Sequence, residues 1–125
     1  SMDLHPTVIH QSTNAERDPL VAELGRRIPG LAHQEAIMNA NGVRGCSFSH
    51  MAIIRRAMDE GWPAVWIMED DCVLQSAFDL EVWHHDVQTA FDANYSIVCG
   101  GSANGQQAYR SGLPNLVGFK AFSSS

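Results

Sequence analysis

Residues 64–68, Ala-Val-Trp-Ile-Met, form an unbroken apolar run, with Pro63 before it and Glu69, Asp70 and Asp71 after it. A strand with one wet face alternates apolar and polar side chains. A strand that is apolar at every position has two faces to bury. That demand selects a sheet covered by helices on both sides, and therefore a layered α/β fold. The chain has 125 residues, a length suited to a single domain over 1–125. Its hydrophobic share of 45% is enough to fill one core.

The rest of the chain reads as alternating elements. "TVIHQ" at 7–11 is a first strand. Asp18 and Pro19 mark a helix start, Asp18 as cap and Pro19 at the first helical position. Leu20, Val21, Leu24 and Ile28 then recur at helical spacing over 19–28, and Pro29-Gly30 closes that helix. "HQEAIMNA" at 33–40 is a second strand and 39–45 a loop. Cys46, His50, Ile53, Ile54 and Ala57 share one face of a helix over 46–60, which Gly61 and Pro63 stop. "SAFD" at 76–79 has the pattern of a capping box and predicts a helix start near Ala77. Its buried stripe is Leu80, Trp83, Val87 and Ala90/Phe91. "YSIVC" at 95–99 is a further strand. Residues 101–115 read as a polar, mobile loop, and 116–122 as the last strand. The alternation predicts a mostly parallel sheet with right-handed crossovers and flanking helices, of Rossmann-like type. Ser1-Met2 reads as a tag remnant and is left out of the fold.

Bulk properties exclude several classes. The formal net charge is -6 and the Arg pairs 26–27 and 55–56 form no basic run, so nucleic acid is not the expected partner. Cys46, Cys72 and Cys99 are odd in number and widely spaced, which fits a reducing compartment rather than a disulfide framework or zinc site. No run approaches the ~20 apolar residues of a membrane span, and no signal peptide is evident. The expected location is cytoplasmic.

The triplet Glu69-Asp70-Asp71 is the chemical question. Ligands bind at the carboxyl ends of strands in open α/β sheets. Three adjacent carboxylates repel one another there. Mg²⁺ or Mn²⁺ relieves such repulsion, held by one or two carboxylates together with substrate phosphates. The competing reading is a solvated acidic turn bound to a nearby Arg.

Residues 45–74, "GCSFSHMAIIRRAMDEGWPAVWIMEDDCVL", add a second signal. Gly45, Cys46, Ser49, His50, Gly61, Glu69, Asp70 and Asp71 occur in the order and spacing of glycosyltransferase family 25. These are the lipopolysaccharide, lipooligosaccharide and collagen galactosyltransferases, and the chain resembles them in this segment. "NYSIVCGGS" and "LVGFKAFSSS" are similar to later family strands, and Arg17 matches an N-terminal Arg of the family.

The resemblance implies a GT-A fold and a nucleotide sugar, typically a UDP-sugar such as UDP-galactose. It also implies Mn²⁺ (or Mg²⁺) and a glycan or lipopolysaccharide-type acceptor. Asp71 would be the metal ligand, Asp70 a contact to ribose or sugar, and Glu69 a support for the loop. Ser49, His50 and Arg17 would complete the nucleotide pocket. Family members are about twice this length, so their acceptor half and catalytic base would follow residue 125. No catalytic residue is assigned here.

Two other functions compete with transfer: a non-catalytic nucleotide-sugar or cation-binding domain, and a metal-dependent phosphohydrolase. The hydrolase would want further His or Asp ligands at other strand ends, and "YSIVCGG" offers none. Other residues read more plainly. His50, alone on an apolar face, also fits a satisfied core histidine. Cys46 fits a small buried hydrophobe with no base partner. His84, His85 and Asp86 fit a solvated helix face, the three Trp fit the core, and Tyr109 and Arg110 fit a surface loop.

Overall fold

The structure is a computed structural model that describes residues 2–95, 97–100, 106–110 and 121–124. Six strands form one sheet in the order β2-β1-β3-β5-β4-β6. The strands are β1 (Pro6–His10), β2 (Ala32–Glu35), β3 (Ala64–Glu69), β4 (Ile97–Gly100), β5 (Gln106–Arg110) and β6 (Ala121–Ser124). The helices are α1 (Asp18–Arg27), α2 (Gly42–Glu60) and α3 (Leu80–Asp92), with a 3-10 turn at Ala15–Arg17. β1 pairs parallel with both β2 and β3, and β4 pairs parallel with β6. β5 runs antiparallel between β3 and β4. The sheet is thus mostly parallel but mixed, and β3 itself has one parallel neighbour, β1, and one antiparallel neighbour, β5.

β3 is sandwiched as its composition demands. Ala64, Trp66 and Met68 pack with Val21 and Leu24 of α1 and with Trp83, Val87 and Phe91 of α3. Val65 and Ile67 face the other way, onto Ile53 and Ala57 of α2. Alternate residues of one strand therefore feed two separate cores. Trp66 is fully buried, with the Trp83 ring centroid 5.5 Å away.

The placement of α1 and α2 on opposite faces follows from chirality. The chain leaves β1 through α1 to β2 on one side, then returns through α2 to β3 on β1's other side. Right-handed crossovers travelling in opposite directions put their helices on opposite faces. The sheet order accordingly reverses between β1 and β3, whose carboxyl ends lie side by side.

Several boundaries differ from the sequence reading. α2 begins at Gly42, four residues before the expected start, because the Asn41 side chain accepts the Val43 and Arg44 N–H groups at 3.0 and 3.3 Å. Residues 42–45 are therefore helix rather than loop. α3 begins at Leu80 rather than near Ala77, because Asp79 caps it by accepting the Glu81 and Val82 N–H groups. β1 spans 6–10 and β2 only 32–35, while 36–40 leaves the sheet. β4 begins at Ile97. Within the expected loop 101–115, residues 106–110 are strand β5, so Tyr109 and Arg110 are sheet residues. Arg110 bonds the Phe91 carbonyl and the Asn94 side chain at the end of α3. The rest of that loop and residues 116–120 of the last expected strand lie outside the described residues. No helix among the described residues is long and apolar enough to cross a membrane.

Candidate functional site

The carboxyl ends of β1 and β3 bring together His10, Gln11, Glu69 and Asp70, and the strand-order reversal makes this the point where α/β sheets bind ligands. A cleft of about 210 Å³ opens there. Gln11, Asn14, Arg17, Glu69 and Asp70 give it a polar wall, and Ile9, Ala36 and Met38 an apolar one, with Cys46 and Ser49 at the α2 side. Of the residues expected at a site, Arg17, Ser49, Glu69 and Asp70 line this cleft. Asp71 is exposed beside it.

The triplet is not bare. Arg17 Nη1 lies 3.7 Å from Asp70 Oδ1 and 3.7 Å from Asp71 Oδ2, so one guanidinium bridges two of the three carboxylates. The Cys46 thiol donates to Glu69 Oε1 at 3.2 Å. Cys46 is therefore only half-buried and has a carboxylate partner, which differs from the plain apolar role expected of it. Burial, the hydrogen bond to Glu69 and the charges of Glu69 and Asp71 push its thiol up to about 11. Cys46 is a neutral donor at pH 7, not a nucleophile. Burial first, and then the same two carboxylates, also push the Cys72 thiol up to about 11.

His10 is the residue that sequence reasoning missed. Its Nδ1 is 2.9 Å from Asp70 Oδ2 and its Nε2 is 2.9 Å from Asp18 Oδ1. The Asp70 hydrogen bond, and then that of Asp18, raise the imidazole pKa above its ordinary value against the opposing effect of burial. Asp18 does not cap α1 as its position suggested. Arg17 holds the cap position with no side-chain cap bond, and the Asp18 carboxylate turns to His10 instead. The available sequence signal was positional: His10 closes the strand beside the one that ends in the acidic triplet.

Gly45 and Ser49 shape the cleft through the segment after β2. The Ser49 hydroxyl donates to the Gly45 carbonyl and accepts the Ile37 N–H, both at 2.9 Å. A Cβ on Gly45 would stand 2.8 Å from the Ile37 carbonyl oxygen. The Gly and Ser of the motif thus let residues 36–39 pack against α2 and place Ala36 and Met38 along the cleft. Glu35, at the end of β2, ties that strand to the segment after β1 by accepting from both the N–H and the hydroxyl of Ser12.

His50 does not line the cleft. Its Nδ1 donates to the Cys46 carbonyl at 3.0 Å and its ring meets Tyr109 edge-on. His84 is half-buried near Trp66 and His85 is exposed. Among the described residues no three His, Cys, Asp or Glu side chains converge as a metal cage. A hard cation here would rest on a single exposed carboxylate, Asp71, which lies 3.7 Å from Arg17, with phosphate oxygens and water supplying its other ligands.

Compared with protein-family models and with curated proteins, the chain matches none.

Proposed function

We propose that this chain is the nucleotide-sugar-binding part of a metal-dependent glycosyltransferase, one that transfers a hexose such as galactose to a glycan or lipopolysaccharide-type acceptor. The observation that carries the reading is the placement of the Glu69-Asp70-Asp71 triplet at the carboxyl end of β3, where the sheet order reverses beside β1. The family 25 resemblance of residues 45–74 and the GT-A fold it implies support the same reading. So does the cleft, whose apolar wall suits a nucleobase and whose polar wall suits ribose and diphosphate.

Each residue then has a role. Asp71, exposed, offers its carboxylate to Mn²⁺ or Mg²⁺. That cation, when bound, supplies Lewis-acid stabilisation of the nucleoside diphosphate leaving group. Arg17 turns its guanidinium to the diphosphate, for which its planar fork is suited. Asp70 accepts from ribose or sugar hydroxyls. Glu69, held by Cys46, keeps the turn in place. Ser49 acts by holding residues 36–39 on α2.

One observation favours a binding domain without transfer as the second reading. Both cleft-lining carboxylates are engaged, Asp70 by His10 and Arg17 and Glu69 by Cys46, so neither stands free as a base toward an acceptor. Calorimetry with UDP, UDP-galactose and GDP-mannose, each with and without Mn²⁺, tests the shared premise. Metal-dependent binding of at least one nucleotide is expected, and none at all sinks both readings. Asp71→Ala should abolish the metal-dependent part of binding in a folded protein, and unchanged affinity removes Asp71 from the role. Release of free hexose or transfer to an added acceptor separates catalysis from binding alone.

A further inference from the structure

His10 joins three separate parts of the chain on one ring: the end of β1, the start of α1 through Asp18, and the turn after β3 through Asp70. The ring is nine-tenths buried, and both of its nitrogens are spent on carboxylate oxygens at 2.9 Å. Each nitrogen faces a carboxylate oxygen, so a protonated ring can donate to both at once.

The two oxygens of Asp70 are thereby separated in function. Oδ2 is taken by His10, and Oδ1 is turned toward Arg17 and the cleft. Without His10 the Asp70 side chain could rotate about its χ angles and spread its acceptors over several directions.

We propose that His10 is a positioning residue, which orients Asp70 so that one carboxylate oxygen faces the bound nucleotide sugar, with Asp18 holding the ring from behind. This role rests on the nucleotide-sugar reading above. It adds a residue that the family 25 motif in residues 45–74 does not contain.

Binding of UDP-galactose with Mn²⁺, measured by calorimetry on four proteins, tests it. His10→Phe keeps the ring volume but donates no hydrogen bond, and should weaken binding about tenfold or more, the scale of a lost charge-assisted hydrogen bond. His10→Asn places an amide N–H near the position of Nδ1 and should stay within about threefold of wild type. Asp18→Ala changes an exposed residue outside the cleft and should weaken binding by a smaller factor, through His10 alone. Histidine-labelled nitrogen spectra of the free protein, followed across pH, should show His10 keeping both ring protons to a higher pH than a free histidine does.

A wild type that binds with an unaffected His10→Phe overturns the positioning role alone. Equal weakening by Phe and Asn, with thermal midpoints lowered equally, marks a structural tie and also overturns it. A His10 ring that loses its second proton at a lower pH than a free histidine contradicts its pairing with Asp70 and Asp18, and overturns the positioning role with it. A wild type that binds no nucleotide overturns the parent reading, and this role with it.

Discussion

Gly25 and Gly45 both lie inside helices, so Gly→Ala at the two sites is a matched experiment with opposite expected signs. A Cβ on Gly25 meets nothing within 4 Å. Gly25→Ala should therefore stabilise α1 by about 0.5–1 kcal/mol, the ordinary helix-propensity difference. At Gly45 the same gain is opposed by a Cβ only 2.8 Å from the Ile37 carbonyl oxygen and 3.3 Å from the Asn39 nitrogen. Both are backbone atoms, and Ile37 is pinned by its N–H bond to Ser49, so the segment cannot yield without breaking that bond. Overpacking of this kind costs about 1–3 kcal/mol. Subtracting the propensity gain leaves Gly45→Ala destabilised by roughly 0–2.5 kcal/mol. The sharper quantity is the gap between the two variants, which isolates the steric cost of about 1–3 kcal/mol. Urea denaturation reads it as a difference in midpoint at constant m. A Gly45→Ala protein as stable as Gly25→Ala would refute the close approach of residues 36–39 to α2. It would also remove the physical reason for glycine at that motif position.

Two further outcomes follow from the caps and from His10. Asp79→Ala should lose about 1 kcal/mol as a helix cap while Ser76→Ala stays near neutral; the reverse order in urea midpoints would restore the capping box at 76–79. His10 has a raised pKa in the fold, so its stabilisation is fully present below its ordinary value near 6.5 and is lost as pH rises through the folded value. The stability difference between wild type and His10→Asn should therefore shrink as pH rises past 6.5, and a difference that grows with pH would contradict the raised pKa.

The architecture was legible where burial dictated sequence. The apolar run of β3 demanded two covered faces, and α1 and α3 on one side with α2 on the other supply them. Gly61 stopped α2 as expected because it takes the left-handed conformation, with φ at 71°. Legibility failed where side chains had equivalent local options. Asp79 and Ser76 could each have capped α3, and Asn41 extended α2 backward through Gly42 and Gly45, which propensity disfavours. β5 escaped notice because Gln106-Gln107-Ala108-Tyr109-Arg110 lacks an apolar pattern, and one of its two pairing partners, β3, lies far away in sequence.

The site divided in the same manner. The acidic triplet could be found from position and charge, and Arg17 only through the family resemblance. His10 could not, because its partners are 8 and 60 residues away and only the sheet order brings Asp70 beside it. Asp18 was assigned to a cap it does not make, since a nearby imidazole competes for its carboxylate more strongly than a free N–H.

The Arg17 bridge also has a thermodynamic consequence. A guanidinium already sits between Asp70 and Asp71, so a divalent cation arriving there enters by exchange with a charge the protein owns. On the proposed reading, the cation alone gains little, because it displaces Arg17 into solvent. When a diphosphate arrives with it, the displaced guanidinium acquires a new anion, and the two ligands should each tighten the other's binding by the same factor.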